Sequence, residues 1–344
     1  MDITMDIIEA SSVELQEITE WTDGGTYDIL VIGAGCAGVP AVMTALEEGA
    51  TVACLQKESK PAANGFGASA VYKPASTDAG LQEWIQEWSK ANGYRIRRDL
   101  FMHHINYSCE AVSWFTKSIN EAGLEGSSYK TTGTICYPDG EVAATFEISS
   151  PGNQLCMETL AANAEAQGAK FFYSTPAVQL IQEEDGTVTG AFGKNANGEY
   201  IKVTATKGVI LACGDYMNND AFLNHYNRDI RDKWLLLQSN RTGDGHILGC
   251  MAGSRLVQPP HPRSVHGLIP WFMQAPPANS ERPRKALLQR RCAHDLLERC
   301  GAQRHGRRRA GRPLALLRFR LRDQVRRIRR HPAQGCVARS LRRR

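Results

Sequence analysis

A chain of 344 residues with 42% hydrophobic content is long enough for two domains and apolar enough to bury a core. The formal net charge of +5 hides two unlike parts: residues 281–344 hold 22 basic and four acidic side chains, net +18, which leaves 19 basic against 32 acidic upstream, net −13. Global basicity is therefore no argument for a nucleic-acid partner. No run of about eighteen apolar residues predicts a membrane span, and the acidic start, Met1 to Glu20, is unlike a signal peptide, so a cytoplasmic protein is expected.

Residues 1–26 read as an N-terminal extension. Tyr27 to Ile32 is a short apolar run ending in glycine, suited to a buried parallel strand, and Gly33 to Gly38 forms a turn. Ala37 to Glu48 then reads as a helix and Thr51 to Leu55 as a second buried strand. Pro61 to Ser76, rich in Gly, Ala, Ser and Asn, reads as a loop lying against a ligand. Helical periodicity covers Leu81 to Asn92 and Arg98 to Ala122, with Trp84, Trp88, Phe101, Ile105, Val112 and Phe115 as expected core contacts. Gln154 to Gln167 is a further helix and Lys170 to Tyr173 a short strand. Ala177 to Glu183 and Thr187 to Phe192 flank Glu184-Asp185-Gly186, a hairpin signature, and Tyr200 to Thr206 extends the meander. Val209 to Ala212 predicts one more buried strand, and Gly243 to Gly253 a helix with glycine at its start. The ten cysteines stand singly, without CxxC pairs, haem attachment or zinc-ligand spacing, so neither disulfides nor a metal are predicted.

The chemistry-bearing motif is Gly33, Gly35 and Gly38 at GxGxxG spacing, directly after a strand and at the mouth of a helix. The first glycine allows the tight turn, the second lets backbone approach a pyrophosphate, and the third lets helix pack closely on strand. The helix N-terminus would offer unpaired N–H groups and a partial positive charge to the phosphates, with Ala34, Cys36 and Ala37 beside them in the turn. The second strand ends in Gln56-Lys57, where an acid usually holds ribose hydroxyls; Gln56 can still donate and accept.

Four stretches in this order resemble the FAD-binding domain of the fumarate reductase and succinate dehydrogenase flavoprotein family, and most nearly its soluble flavocytochrome-type fumarate reductases. They are Asp28 to Gly38 (DILVIGAGCAG), Asn64 to Ala70 (NGFGASA), Gly208 to Tyr216 (GVILACGDY) and Thr242 to Gly253 (TGDGHILGCMAG). The resemblance implies an α/β fold: a Rossmann-like FAD-binding domain with a parallel sheet, inserted helices and a β-meander, over residues 27–260. It implies that the first stretch holds the FAD pyrophosphate and that Asn64, Gly65, Gly67, Ala68 and Ser69 pass along pyrophosphate and flavin. Ala212, Cys213 and Gly214 would close the second half of the nucleotide site. Thr242, Gly243 and Asp244 would lead towards the flavin, and Ala177 and Val178 would meet adenine through backbone groups. Cys213 and Asp215 depart from the family's ATGG-like pattern. The second stretch has no histidine of the kind that anchors FAD covalently, so the flavin is expected to be non-covalent.

The resemblance further implies reduction of an activated C=C bond beside a carboxylate, with hydride from the flavin and a proton from an arginine that the sequence does not identify. His261, in His261-Pro262, resembles a family histidine that clamps the substrate carboxylate, and His266 is a weaker candidate. Residues 261–281 read as the start of a truncated substrate cap. A ketosteroid dehydrogenase or aspartate oxidase of the same flavoprotein group is the alternative chemistry. With no haem motif, electrons come from an unidentified donor.

After Pro277 the resemblance stops, and the tail is expected to be irregular or poorly packed. Arginines at this density suit a nucleic-acid arm or a basic surface helix, which would make the chain a non-catalytic flavin-binding protein with a basic tail. A frameshift near Arg282 accounts for more. Gln289 to Glu298, read one base later with chosen wobble bases, becomes NDDVPMTYW, and Lys285 onwards becomes KRFCNDDVPMTYW, similar to the family's RFxNED segment. Pro313 to Ile328, shifted the same way, yields RWRFFDFDYETKYAEY, with the aromatic and acidic mix of a folded domain. On that reading the chain lacks most of the cap and the family's last flavin-binding segment, FAD retention is weak or absent, and no turnover is expected.

Overall fold

Alternation along two neighbouring strands sets up the two faces of the main sheet. The computed structural model describes residues 3–257 and His261, apart from 66, 92, 95, 125–127, 137, 150–151 and 229–239. β1 (Thr22–Ile32) and β2 (Val52–Leu55) pair in parallel, Ile29 opposite Val52 and Ile32 opposite Leu55. Leu30, Ile32, Ala53 and Leu55 enter one core, whereas Val31, Val52 and Cys54 enter another on the opposite face. Where the strands are buried on both faces, at Leu30 to Ile32 and Val52 to Leu55, they must be apolar, which is why those stretches read as continuous hydrophobic runs.

Among the described residues the sheet has six strands in the order β6-β2-β1-β9-β8-β7, with β6 (Lys170–Phe172), β7 (Ala177–Gln182), β8 (Val188–Lys194) and β9 (Tyr200–Leu211). β6, β2, β1 and β9 are parallel; β7, β8 and β9 form the antiparallel meander expected from the Glu184-Asp185-Gly186 hairpin. One face is covered by α1 (Met5–Glu9), α6 (Asp220–Tyr226) and α7 (Asp244–Met251), which bury Ile7, Phe222 and Ile247. The other is covered by α2 (Gly38–Glu47) and α5 (Asn153–Ala166), through Val39, Val42, Met157 and Leu160. Side chains of this size each contribute roughly 1.5–3 kcal/mol when fully buried.

The described residues fall into two compact units: one holds residues up to 68, 111–129 and 147 onwards, the other 69–110 and 130–146. Most of a three-stranded sheet, β3-β5-β4, lies in the second, formed by β3 (Gly67–Val71), β4 (Ser128–Cys136) and β5 (Glu141–Ser149). With α3 (Asp78–Ala91) and the first half of α4 (Arg98–Glu121), it encloses a small core of Val71, Leu81, Ile85, Ile105 and Val142.

Several expectations are corrected. Residues 1–26 are no mere extension: β1 begins at Thr22, and Ile3, Ile7, Ile8 and Val13 are part of the main core. The loop expected over Pro61 to Ser76 contains β3, because small residues at alternate positions pack as readily in a strand as in a turn. The two strands expected around Lys207-Gly208 are one, β9, whose pairing with β1 runs on through Gly208 opposite Ile29. Strands β4 and β5 had no sequence counterpart. Trp88 remains 48% exposed, although its ring meets Trp84 and Phe101. The cap residues 262–281, including His266, and the tail 282–344 lie outside the described residues.

Candidate functional site

The chain leaves β2, β1 and β9 side by side, and the sheet's hydrogen bonding continues one residue past each strand. The Gln56, Gly33 and Ala212 N–H groups donate to Phe172, Leu55 and Ile32 carbonyls at 2.9, 2.8 and 2.8 Å. A cleft of about 800 Å³ opens at these carboxyl ends, where open parallel sheets generally take their ligands.

The glycine turn fits this junction by having no side chains. Gly33 has φ +102°, and a Cβ there would stand 2.5 Å from the Ala212 carbonyl oxygen; a Cβ on Gly38 would collide with the Gly33 carbonyl oxygen. Ala37, the residue before α2, brings no capping side chain; in the first turn the Val39 and Ala41 N–H groups donate to the Gly35 and Ala37 carbonyls at 3.0 and 3.2 Å and Pro40 has no N–H, which leaves the Gly38 N–H at the helix mouth. A phosphate oxygen would satisfy that donor and the positive end of the helix dipole. The cradle thus suits the pyrophosphate of a dinucleotide.

Most of the sequence-predicted residues meet here. Gly33, Ala34, Gly35, Cys36, Ala37, Gln56, Lys57, Asn64, Ala177, Ala212, Cys213, Gly214, Thr242 and Asp244 all border the cleft. Gly38, Gly65, Gly67, Ala68, Val178 and Gly243 do not, and Ser69 falls in the second unit. The Val178 side chain is buried and its carbonyl accepts from the Glu14 N–H at 3.1 Å. Gln56 is only 4% exposed. Its Oε1 accepts from the Ala34 N–H at 3.0 Å and its Nε2 donates to the Lys60 carbonyl at 2.9 Å, so it fixes the glycine turn instead of offering its amide to a ribose.

Across the cleft, side chains do what backbone does at the turn. Lys57 Nζ donates to Thr242 Oγ1 at 2.8 Å and pairs with Asp244 Oδ2 at 3.1 Å; Thr242 Oγ1 donates to Asp244 Oδ1 at 2.6 Å. The Ser12 N–H donates to the same Asp244 Oδ1 at 3.2 Å, which ties the N-terminal segment to the site. The Thr242-Gly243-Asp244 stretch therefore joins the end of β2. Cys213 packs beneath, its Sγ 3.3 Å from the Ile32 carbonyl; burial, and then the neighbouring Asp244 carboxylate, push its thiol up to about 12. Such a thiol is protonated and inert.

His261 does not border the cleft. It is 8% exposed, stacked on Tyr226, with Nδ1 2.6 Å from Tyr216 Oη and Nε2 3.0 Å from the Val257 carbonyl. With both ring nitrogens held by protein partners, the expected clamp on a substrate carboxylate is not what this arrangement provides.

Other residues were not anticipated. Asn153 and Gln154 open α5 and pin the second stretch: Asn153 Nδ2 donates to the Asn64 and Gly67 carbonyls, both at 3.1 Å, while Gln154 accepts from the Ala63 N–H at 2.8 Å and donates to the Pro61 carbonyl at 2.6 Å. Their signal was two amide side chains directly after Gly152 at a helix start. Arg241 and His246 also border the cleft, on either side of the Thr242–Gly245 stretch. Among the described residues, no group of His, Cys, Asp and Glu could hold a metal, and no helix is long and apolar enough to cross a membrane.

The sheet order, the glycine turn and the cleft define a dinucleotide-binding α/β protein. Residues 28–270 match the FAD binding domain family, and the chain belongs to it; FAD is its cofactor. Among known proteins it is similar to a vinyl phenol reductase of Lactiplantibacillus plantarum, 29% identical over 241 residues, 67% of this chain and 46% of the relative. A probable fumarate reductase, Ifc3, of Shewanella frigidimarina is 27% identical over 242 residues, 67% of this chain and 40% of the relative. The chain thus spans less than half the length of these relatives. An open conformation of a flavocytochrome c3 fumarate reductase shares the fold, with a TM-score of 0.53 at 23% identity, covering 68% of this chain and 41% of that one.

Proposed function

We propose that this chain is the FAD-holding part of a reductase of fumarate reductase type, acting on the activated C=C bond of a small unsaturated carboxylate, with FAD held non-covalently. The observation that carries the reading is the close backbone packing of Gly33 on Ala212 and of Gly38 on Gly33, which closes the glycine turn where it borders the cleft at the carboxyl ends of the parallel strands. Reductase chemistry is supported by relatives named as reductases. FAD supplies the hydride when bound.

The chain's own residues bind and orient. The Gly38 N–H and the positive end of the α2 dipole face the phosphates. Pro176 and Ala177 border the cleft and on this reading meet the adenosine, and Asn153 with Gln154 keeps the Asn64 stretch against the cleft. The proton donor is left unassigned, and a separate donor supplies electrons. Residues 282–344 are read as the product of a shifted frame, so this chain holds FAD weakly and does not turn over.

Titration of the purified chain with FAD, followed by flavin fluorescence, is expected to saturate at one flavin per chain, with all flavin released on acid precipitation. No uptake would sink the cofactor reading, and flavin left in the precipitate the non-covalent one. Oxidation of a reduced dye by the FAD-loaded chain with fumarate-like acceptors would overturn the proposed loss of turnover.

A further inference from the structure

His246 is the third residue of α7 and borders the cleft. Its place is set from two sides. Gly245 before it packs on Cys213, so closely that an added Cβ would stand 2.9 Å from both Cys213 Cβ and Sγ, and the His246 N–H donates to the Gly243 carbonyl at 3.0 Å. The ring rests on the core, where Tyr216 and Phe222 meet it edge-on at centroid distances of 5.4 and 5.7 Å. Its two nitrogens are placed differently. Nδ1 is buried without a hydrogen-bond partner, the one side-chain nitrogen or oxygen of that kind among the described residues. Nε2 has no partner among them either but is not buried, so it is the nitrogen that reaches open space on the cleft side of the ring.

That difference sets the tautomer and the charge. A buried N–H without an acceptor is rarer in folded proteins than an acceptor short of a donor, so the neutral ring keeps its proton on Nε2 and leaves the lone pair on Nδ1. A second proton would put an N–H at Nδ1 with nothing to receive it. Burial also holds the pKa below the usual histidine value; His261 adds to this, and Asp215 acts in the other direction. His246 therefore offers the cleft one uncharged donor. A diphosphate is better served by a cation or a helix N-terminus, whereas a neutral N–H suits a carbonyl or hydroxyl oxygen. In a dinucleotide site the pyrophosphate sits at the glycine turn after the first strand and the adenosine ribose at the end of the second. The other half of the ligand is left to the far side of the first strand. Here that is the end of β9, where Gly245 on Cys213 brings His246.

We propose that His246 binds the riboflavin part of FAD, its Nε2–H donating to a carbonyl oxygen of the ring or a hydroxyl of the ribityl chain. This rests on the FAD-binding reading above. An apolar side chain would pack on Tyr216 and Phe222 without an orphaned nitrogen, so binding and stability pull in opposite directions at this position.

The test measures FAD and ADP affinity for the full chain and for H246L, H246Q and H246N, with the melting temperature of each unliganded variant. H246L is expected to weaken FAD roughly fivefold, the size of one net hydrogen bond, to leave ADP unchanged, and to melt no lower than wild type. A merely structural role would lower the melting temperature and both affinities together. H246Q should recover part of the FAD loss, because its amide nitrogen reaches as far as Nε2; H246N, whose amide reaches only as far as Nδ1, should not. The visible absorbance band of the bound flavin tells the two acceptors apart: it moves in H246L for a ring carbonyl and stays for a ribityl hydroxyl, and either supports the contact. Unchanged FAD affinity in a folded H246L overturns the proposal. So does an equal loss of FAD and ADP, which would place His246 at the adenosine or the diphosphate. If H246L melts well below wild type, H246Q and H246N decide: equal FAD affinities overturn the proposal, and tighter binding by H246Q supports it. A wild-type chain that takes up no FAD overturns the cofactor reading, and this proposal with it.

Discussion

The two sides of the cleft are held by different means. At the glycine turn the fit is backbone against backbone: Gly33 lies against Ala212 and Gly38 against Gly33, and a buried side chain, Gln56, reinforces the turn. At the start of α7 the fit is a polar network in which Lys57, Thr242, Asp244 and the Ser12 N–H come from three distant parts of the chain, with Arg241 and Asp215 beside them. A backbone fit tolerates almost no substitution, because the atoms in the way cannot rotate aside. A side-chain network degrades by steps, as each partner lost leaves others with water or with a weaker contact.

The largest expected effect follows from the first of these. Gly38→Ala should destabilise the chain by about 3 kcal/mol, the upper part of the overpacking range, and abolish FAD uptake, because its Cβ meets a carbonyl and not a flexible side chain. Chemical denaturation would measure this, and a near-neutral Gly38→Ala would break the contrast between the two sides. Asp244→Asn keeps the shape but leaves Lys57, whose side chain is 21% exposed, without its counter-charge. A loss of roughly 1–3 kcal/mol and weaker FAD binding are expected in the same assay. A loss as large as that of Gly38→Ala would erase the distinction.

The smallest effect concerns His246. Its Nδ1 is buried with no hydrogen-bond partner among the described residues, its ring meets Tyr216 and Phe222 edge-on, and burial holds its pKa below the usual histidine value. The unfolded chain takes up this proton near pH ~6.5 while the folded chain still resists it. Stability is therefore fully present above that pH and declines as pH falls towards the lowered folded value. Between pH 8 and 5 the melting temperature of His246→Gln should fall less steeply than that of wild type; parallel curves would refute the assignment.

Sequence reasoning reached the parts of this molecule that local pattern controls. The run Tyr27 to Ile32, the glycines after it and the hairpin at Glu184-Asp185-Gly186 each carry their reason within a few residues. It went astray where the reason lies elsewhere in the chain. Residues 1–26 look polar, yet every few positions an isoleucine or valine meets a core built by β1, β9 and α6. His261 looked like a ligand because of its Pro262 neighbour; Tyr216 and the Val257 carbonyl, not that neighbour, occupy its nitrogens. Gln56 looked like a ribose contact, and the Ala34 N–H claims it instead.

By itself the sequence determined the strand-turn-helix unit, the parallel sheet and the glycines that a dinucleotide requires, since apolar runs and residues without Cβ act within one turn or one strand. Only the tertiary structure decided which polar groups face the cleft. Hydrogen-bond partners such as Lys57 with Asp244, or Asp215 with Arg241, are chosen by strand order and helix placement, and those depend on packing between segments far apart along the chain.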